Sequence, residues 1–257
     1  MRIGKLDTKI IGKKIKFFEN VSSTNDIAWQ EAIDGAPEGT VISADYQAQG
    51  RGRLGRKWVA PKDSSILVSV ILRPQIEATE SQLVTVIGTL AVCETIENVT
   101  GIKTLVRFPN DCVIDSKKVA GVLVESRFIS GRQDLFILGA GINVNIKKSE
   151  FGTLSKLGTS LLLETGKEVS RQLVLKSFLE TLDEWYKTLC DGDFKQISNA
   201  WRERSYVLGK RVTISQNGKT ASGVVSEIDP IVGIVLRTEG GMLHNFRGEH
   251  ITELRLR

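Results

Sequence analysis

Histidine is almost missing from this 257-residue sequence, and cysteine, methionine and proline are scarce: 2 His, 3 Cys, 2 Met and 5 Pro. His244 and His250 both lie near the C-terminus, which leaves no material for a His-based nucleophilic triad or a His-rich metal site. Cys93, Cys112 and Cys190 are odd in number, far apart in sequence and in no C-x-x-C pattern. They predict reduced thiols and a cytoplasmic protein rather than a disulfide framework. No uninterrupted apolar run approaches the ~18 residues of a membrane span. The opening "MRIGKLDTKIIGKKIKFFENV" has neither an apolar stretch nor a small-residue cleavage site, so a signal peptide is not expected. There is no internal repeat and no low-complexity segment.

What is present is ordinary globular material, 41% hydrophobic and 25% charged. The length suffices for one large domain and a small one. A net charge of +5 suits an anionic partner, whether nucleic acid, nucleotide or acidic protein. The charge clusters in "GRGRLGRKW" (50–58), which carries Arg51, Arg53, Arg56 and Lys57.

The segment "SSTNDIAWQEAIDG" reads as a short helix, with Ser22, Ser23 or Thr24 as cap and Gly35 as stop. Residues 81–101 have the helical spacing of apolar residues, with Ser81 as cap and Gly101 as stop. Strand-like runs lie at 40–45, 64–72, 103–108, 118–126 and 134–146, the last two joined as an antiparallel hairpin through "SGRQD". Residues 170–190 and 194–206 look helical. From about 209, short alternating runs separated by Asn-Gly, Asp-Pro and Gly-Gly predict a small all-β unit, a barrel packed on the main domain. The expected fold is therefore α+β, with helices packed on a mixed or antiparallel sheet; residues 1–207 form the main domain and 208–257 the small one.

Gly50, Gly52 and Gly55 fit G-x-G-x-x-G. A dinucleotide turn, however, must open a helix, and "RKWVAPKDSS" with Pro61 does not. A Walker loop fails as well, because Thr213 stands where Gly is needed before "GKT" (218–220). What remains is a glycine-rich loop whose guanidinium forks suit phosphate oxygens, and whose mutual repulsion predicts mobility until a polyphosphate binds. An exposed solubilising turn is the plain alternative.

"RFPND" (107–111) sets Asn110 and Asp111 in a constrained turn. Lys118 opens an apolar strand and, if it faces a cleft, could neutralise a carboxylate and a phosphate together. Gly139 and Gly141 in "LGAGINVN" suit close approach by a ligand, and Asn143 suits the edge of a ureido group or a base. Trp58 fits either a core position or a lid over a base. Together these features describe a cleft for a small polar ring plus a nucleotide's phosphates, and they point to adenylate chemistry.

"SSTN" (22–25), "QAQGRGRLGRKW" (47–58), "FPND" (108–111), "KKVAGVLVE" (117–125) and "GAGINVN" (139–145) resemble, in order and spacing, the biotin protein ligases. The resemblance implies a class II synthetase-like catalytic domain with a C-terminal SH3-like β-barrel. It implies that biotin and Mg-ATP form biotinyl-5′-AMP, which then biotinylates a lysine of a biotin carboxyl carrier domain. Ser23, Thr24, Asn25 and Gln47 would hold the biotin ring, with Gly50, Arg51, Gly52 and Arg53 closing over it and Gly121, Gly139 and Gly141 lining its channel. Arg51, Arg53, Arg56, Trp58, Asn110 and Asn143 would bind ATP. Lys118, between biotin carboxylate and α-phosphate, would be catalytic with Arg53. Magnesium would arrive with ATP, no protein metal site is expected, and the place of Asp111 stays open.

A homodimer, a cytoplasmic location and no membrane partner are also implied. Phe108 departs from a family tryptophan and loses an indole donor. Only residues 1–21 precede "SSTN", too few for a helix-turn-helix domain, so DNA binding and a repressor role are not expected. Lipoate or octanoate ligases and transferases are the nearest alternative, since fold does not fix substrate. A nucleic-acid-binding module is the second, weakened because residues 209–257 contain Phe246 as their only aromatic.

Overall fold

Most of the alternating runs join one sheet. In the computed structural model, which describes residues 3–129, 132–216, 218–247 and 251–256, β1 (Ile15–Val21), α1 (Thr24–Ile33), β2 (Val41–Gln47) and β3 (Ser65–Leu72) come first. They are followed by α2 (Gln82–Thr100), β4 (Leu105–Arg107), β5 (Asp111–Ile114), β6 (Lys117–Ile129) and β7 (Arg132–Asn143). The strand order is β1-β2-β3-β7-β6-β5-β4. β1 and β2 run parallel and the remaining neighbours antiparallel, which is the mixed sheet expected of an α+β fold. β6 and β7 are the expected hairpin partners; Ser130 and Gly131 of the predicted "SGRQD" connection lie outside the described residues.

Side chains alternate across a strand, so each strand serves two faces. On one face Val68, Val70 and Leu72 of β3 and Leu138, Ala140 and Ile142 of β7 form the main core with α2 and α4 (Arg171–Cys190). α2 is apolar nearly all round because it is enclosed on several sides. Ala78–Thr100 is long and apolar enough to cross a membrane, yet here it is mostly buried in that core. Its C-terminus stops at Gly101 in the left-handed conformation, as expected. Cys93 and Cys112, distant in sequence, meet in this core with their sulfurs 3.3 Å apart, both as free thiols. Burial pushes the Cys112 thiol well up, which keeps it protonated.

On the opposite face α1 lays Ala28, Trp29 and Ala32 on Ile42, Ile71, Leu135 and Ile137. α1 covers only part of that face. The expected side-chain caps of α1 and α2 do not form: Ser23 and Ser81 make no capping hydrogen bond, and the Thr24 hydroxyl is drawn into the site instead.

Two short elements escape the sequence. β5 follows the "PND" turn directly, pairing Arg107 with Asp111 across a hairpin, so the run read as 103–108 is only the first arm. α3 (Leu161–Thr165) carries its own start and stop, since Ser160 accepts from Leu163 N and Gly166 is left-handed. After α4 and α5 (Phe194–Glu203), a second sheet is built from β8 (Arg211–Gln216), β9 (Lys219–Asp229), β10 (Gly233–Arg237), β11 (Leu243–Phe246) and β12 (Ile251–Leu256), ordered β11-β10-β9-β8-β12 and antiparallel throughout. This is the small β unit. Its Val212, Ile214, Val225, Ile234 and Leu236 are continuous with the main core, so it is packed on the larger unit rather than tethered to it.

Candidate active site

Where α1 leaves the sheet uncovered, a cleft of about 620 Å³ opens. Strand register explains its depth. Leu67, Gly141 and Gly121 form one cross-strand row, and Ser69, Gly139 and Leu123 the next. Three glycines thus face one patch of the surface, and each seats a side chain that lines the cleft. A methyl group on Gly139 would come within 2.4 Å of Asn25 Oδ1, and one on Gly141 within 2.5 Å of the Trp58 indole. One on Gly121 would come within 2.9 Å of Lys118 Nζ.

One end of the cleft is a polar cradle from the start of α1. Thr24 donates to Gln47 Oε1 twice, from its backbone N at 2.7 Å and from its hydroxyl at 2.9 Å. Ser69 Oγ lies 2.7 Å from Thr24 Oγ1 and 2.6 Å from Asn25 Oδ1, and its single proton serves one of them at a time. Asn25 Nδ2 donates to Glu125 Oε2 at 3.0 Å. The amide of Asn25 is therefore fixed from both sides.

At the other end lies a charged cluster. Lys118 Nζ sits 2.6 Å from Asp111 Oδ1, and Arg107 Nη2 2.9 Å from Asp111 Oδ2. Burial alone would raise the Asp111 carboxyl; the charges of Lys118 and Arg107, with their hydrogen bonds, outweigh it and hold the group below the usual carboxylate range. Lys118 Nζ is also 5.3 Å from the centre of the Trp58 ring. Trp58 Nε1 is buried without a hydrogen-bond partner among the described residues, so an acceptor entering the cleft would satisfy it. Phe108 is turned into the core, packing edge-on against Trp201 at 5.7 Å.

The arginine loop closes over the cleft as a small hairpin. Gly52 N donates to Arg56 O at 2.7 Å and Trp58 N to Gly50 O at 2.9 Å, with Arg51 and Lys57 bridged. Leu54, at its tip, has φ 56° and is exposed. Arg53 Nη1 lies 3.5 Å from Asn110 Oδ1. Burial lowers the Arg53 pKa, Asp111 opposes this and Arg56 adds to it, leaving a guanidinium placed to gain from an incoming anion. Arg56 Nη2 reaches Thr252 O of β12 at 3.4 Å. β12 itself walls the cleft from Ile251 to Arg255, so the small β unit contributes to the site.

Of the residues singled out from sequence, Ser23, Thr24, Asn25, Gln47, Arg51, Gly52, Arg53, Arg56, Trp58, Asn110, Lys118, Gly121, Gly139 and Gly141 line this one cleft. Gly50 and Asn143 are not among its lining residues. Gly50 supports the loop from below, where a methyl group would meet Trp58 O at 2.4 Å. Asn143 is buried at the far end of β7, its Nδ2 donating to Thr159 O at 3.0 Å. Ser69, Asp26 and Glu125 were missed, and the part played by the small β unit was left open. Ser69 alone left a sequence signal, a hydroxyl inside an otherwise apolar strand. Among the described residues no group of three or more His, Cys, Asp or Glu could hold a metal.

Comparison with known proteins gives four convergent likenesses. Residues 17–143 match the model of the biotin/lipoate A/B protein ligase family. The bifunctional ligase/repressor BirA of Bacillus spizizenii is 32% identical over 238 residues, covering 92% of this chain and 73% of that protein. The biotin–[acetyl-CoA-carboxylase] ligase of Paracoccus denitrificans is 27% identical over 205 residues, covering 78% of this chain and 85% of that one. Among solved structures, a biotin protein ligase from Aquifex aeolicus in complex with biotin and ATP superposes with a TM-score of 0.81, 29% identity, and coverage of 96% of this chain and 100% of that chain.

Proposed function

The chain belongs to the biotin/lipoate A/B protein ligase family, and from that premise we propose that it is a biotin protein ligase, joining biotin to ATP and passing it to a biotin carboxyl carrier protein. The biotin carboxylate attacks the α-phosphorus, the bond to the β-phosphate oxygen breaks and pyrophosphate leaves. The ε-amine of the acceptor lysine then attacks the activated carbonyl, the bond to the AMP oxygen breaks, and the amine loses a proton. The observation that carries this reading is the convergence on one cleft of Lys118, seated over Gly121, the arginine loop and the polar cradle.

The first step forces a carboxylate against a triphosphate. Their mutual repulsion is offset by the cations that converge here, Lys118, Arg53 and Arg56, in a cleft closed to bulk water when the loop is down. Thr24, Asn25 and Gln47 supply donors and acceptors for a ureido ring. Trp58 and Asn110 lie on the nucleotide side. Asn143 is taken to this side as well, its Nδ2 donating to Thr159 O so that the amide is fixed in orientation. Magnesium enters as the counter-ion of ATP, because both oxygens of Asp111 are already paired with Lys118 and Arg107.

The same reading takes residues 1–207 as the catalytic domain and 208–257 as an SH3-like accessory domain that walls the nucleotide side. It includes a cytoplasmic location, and a homodimer formed at the β1 end of the sheet. DNA is not a partner in this reading, in which the loop arginines serve the cleft they line.

Biotin-dependent exchange of labelled pyrophosphate into ATP tests the proposal, with lipoate and octanoate run in parallel. Exchange with biotin alone is expected. Exchange driven by lipoate instead would overturn the substrate assignment, and none with any acid would overturn adenylation. Gly139→Ala sharpens the test: the added methyl must displace Asn25, so the KM for biotin should rise about tenfold with the KM for ATP unchanged. An unchanged KM for biotin would remove Asn25 from the ring pocket.

A further inference from the structure

Arg51 stands apart from the other arginines of the loop. Its Nη1 lies 2.7 Å from Asp26 Oδ1 on α1, and its Nη2 lies 3.0 Å from both Oε1 and Oε2 of Glu125 on β6. One guanidinium flanked by two carboxylates is part of a locally negative cluster and draws a phosphate poorly. Glu125 Oε2 also accepts from Asn25 Nδ2 and Trp29 Nε1, each at 3.0 Å. A single carboxylate therefore touches both the cradle and the base of the arginine loop.

We infer that Glu125 is a positioning residue that couples the ring pocket to loop closure, and that Arg51, held by Asp26 and Glu125, is the latch of the loop and not a phosphate ligand. The inference rests on the adenylation reading for its kinetic consequences only. The hairpin bonds from Gly52 to Arg56 and from Trp58 to Gly50 make the loop move as one piece, so release at Arg51 swings Arg53 and Arg56 together. Both ion pairs are partly exposed, with 42% of the Arg51 side chain accessible. Each such pair biases closure by no more than about fivefold. That is weak enough to let substrates enter. It is also suited to sensing the pocket, because a ring bound at Asn25 tightens the amide held by Glu125.

Trypsin cleavage after Arg53 and Arg56 in the full chain reads the latch without any assay of activity. Asp26→Asn should speed cleavage by about fivefold and Arg51→Gln, which removes both ion pairs, by more, and the double variant should be no faster than Arg51→Gln alone, because the Asp26 pair is already lost with Arg51. In parallel, the two variants should release biotinyl-adenylate faster. Glu125→Gln should show both faster release and a raised KM for biotin. Glu125→Asp, which keeps the charge but shortens the reach, stands in if that variant does not fold. Cleavage at the wild-type rate, or additive effects in the double variant, would overturn the latch. An unchanged KM for biotin in the Glu125 variants would overturn the coupling. If the wild-type protein fails to exchange pyrophosphate with biotin, the adenylation reading falls while trypsin still decides the latch.

Discussion

Replacing Lys118 with alanine should reduce biotin-dependent pyrophosphate exchange about 10³-fold while leaving the protein folded, the size of loss expected when a preorganised cation is removed from the site of developing charge. The fold should survive because the strand does not depend on this side chain. Lys118 N donates to Leu157 O, and Thr159 N to Lys118 O, both through the backbone. Nor is a carboxylate orphaned, since Asp111 retains Arg107 at 2.9 Å. Arginine should not rescue, because a planar fork is a poor replacement for an ammonium folded over Gly121.

The variant also carries a pH signature. Lys118 and Arg107 hold the Asp111 carboxyl below its unfolded value, so the stabilisation they give is present above the ordinary carboxylate range and is lost as the pH falls through the lowered folded value. The stability difference between wild type and Lys118→Ala should therefore be full at neutral pH and shrink towards strong acid. Thermal melts across that range, beside the exchange assay, decide it. Exchange near the wild-type rate would remove Lys118 from the chemistry.

The parts of this site that were legible in the sequence share one property: their signal is local. Gly139 and Gly141 stand two apart within an apolar strand, and strand alternation turns such a pair towards one face. The arginines sit within a few residues of one another, and the stop of α2 needs only Gly101. What was not legible depends on contacts between distant segments. Glu125 looks like the polar end of a strand until Arg51, 74 residues earlier, closes on it. Thr252, 196 residues beyond Arg56, reaches the same cleft through a sheet whose strands gave no hint of where it would dock. Asn143 combines the two. Its residue type and its place after the glycines suit a base, while the hydrogen bond from its Nδ2 to Thr159 O depends on a segment that returns 16 residues later. Ser23 has the chemistry of a helix cap and does not act as one, because the start of α1 is committed to the cradle.

Arg53→Gly should slow adenylate formation far less than Lys118→Ala does but destroy the adenylate's retention, with biotinyl-AMP escaping about ten- to a hundredfold faster, in line with the loss of a charge-assisted contact and of loop order together. Two effects combine. The guanidinium, lowered in pKa by burial and by Arg56 although Asp111 opposes this, gains most from a phosphate placed beside it. Its removal therefore weakens the closed, loaded state more than the open one. The glycine also places two flexible residues in succession after Arg51, since Gly52 precedes it, and the closed hairpin becomes harder to hold. Lys118 is untouched, so chemistry continues and the product is lost to solvent. An unrelated lysine-bearing protein added to biotin, ATP and the variant should become biotinylated, while the wild type labels only the carrier. Labelling confined to the carrier would mean that the adenylate is retained by the cleft walls, with β12 and not the arginine loop as its cover.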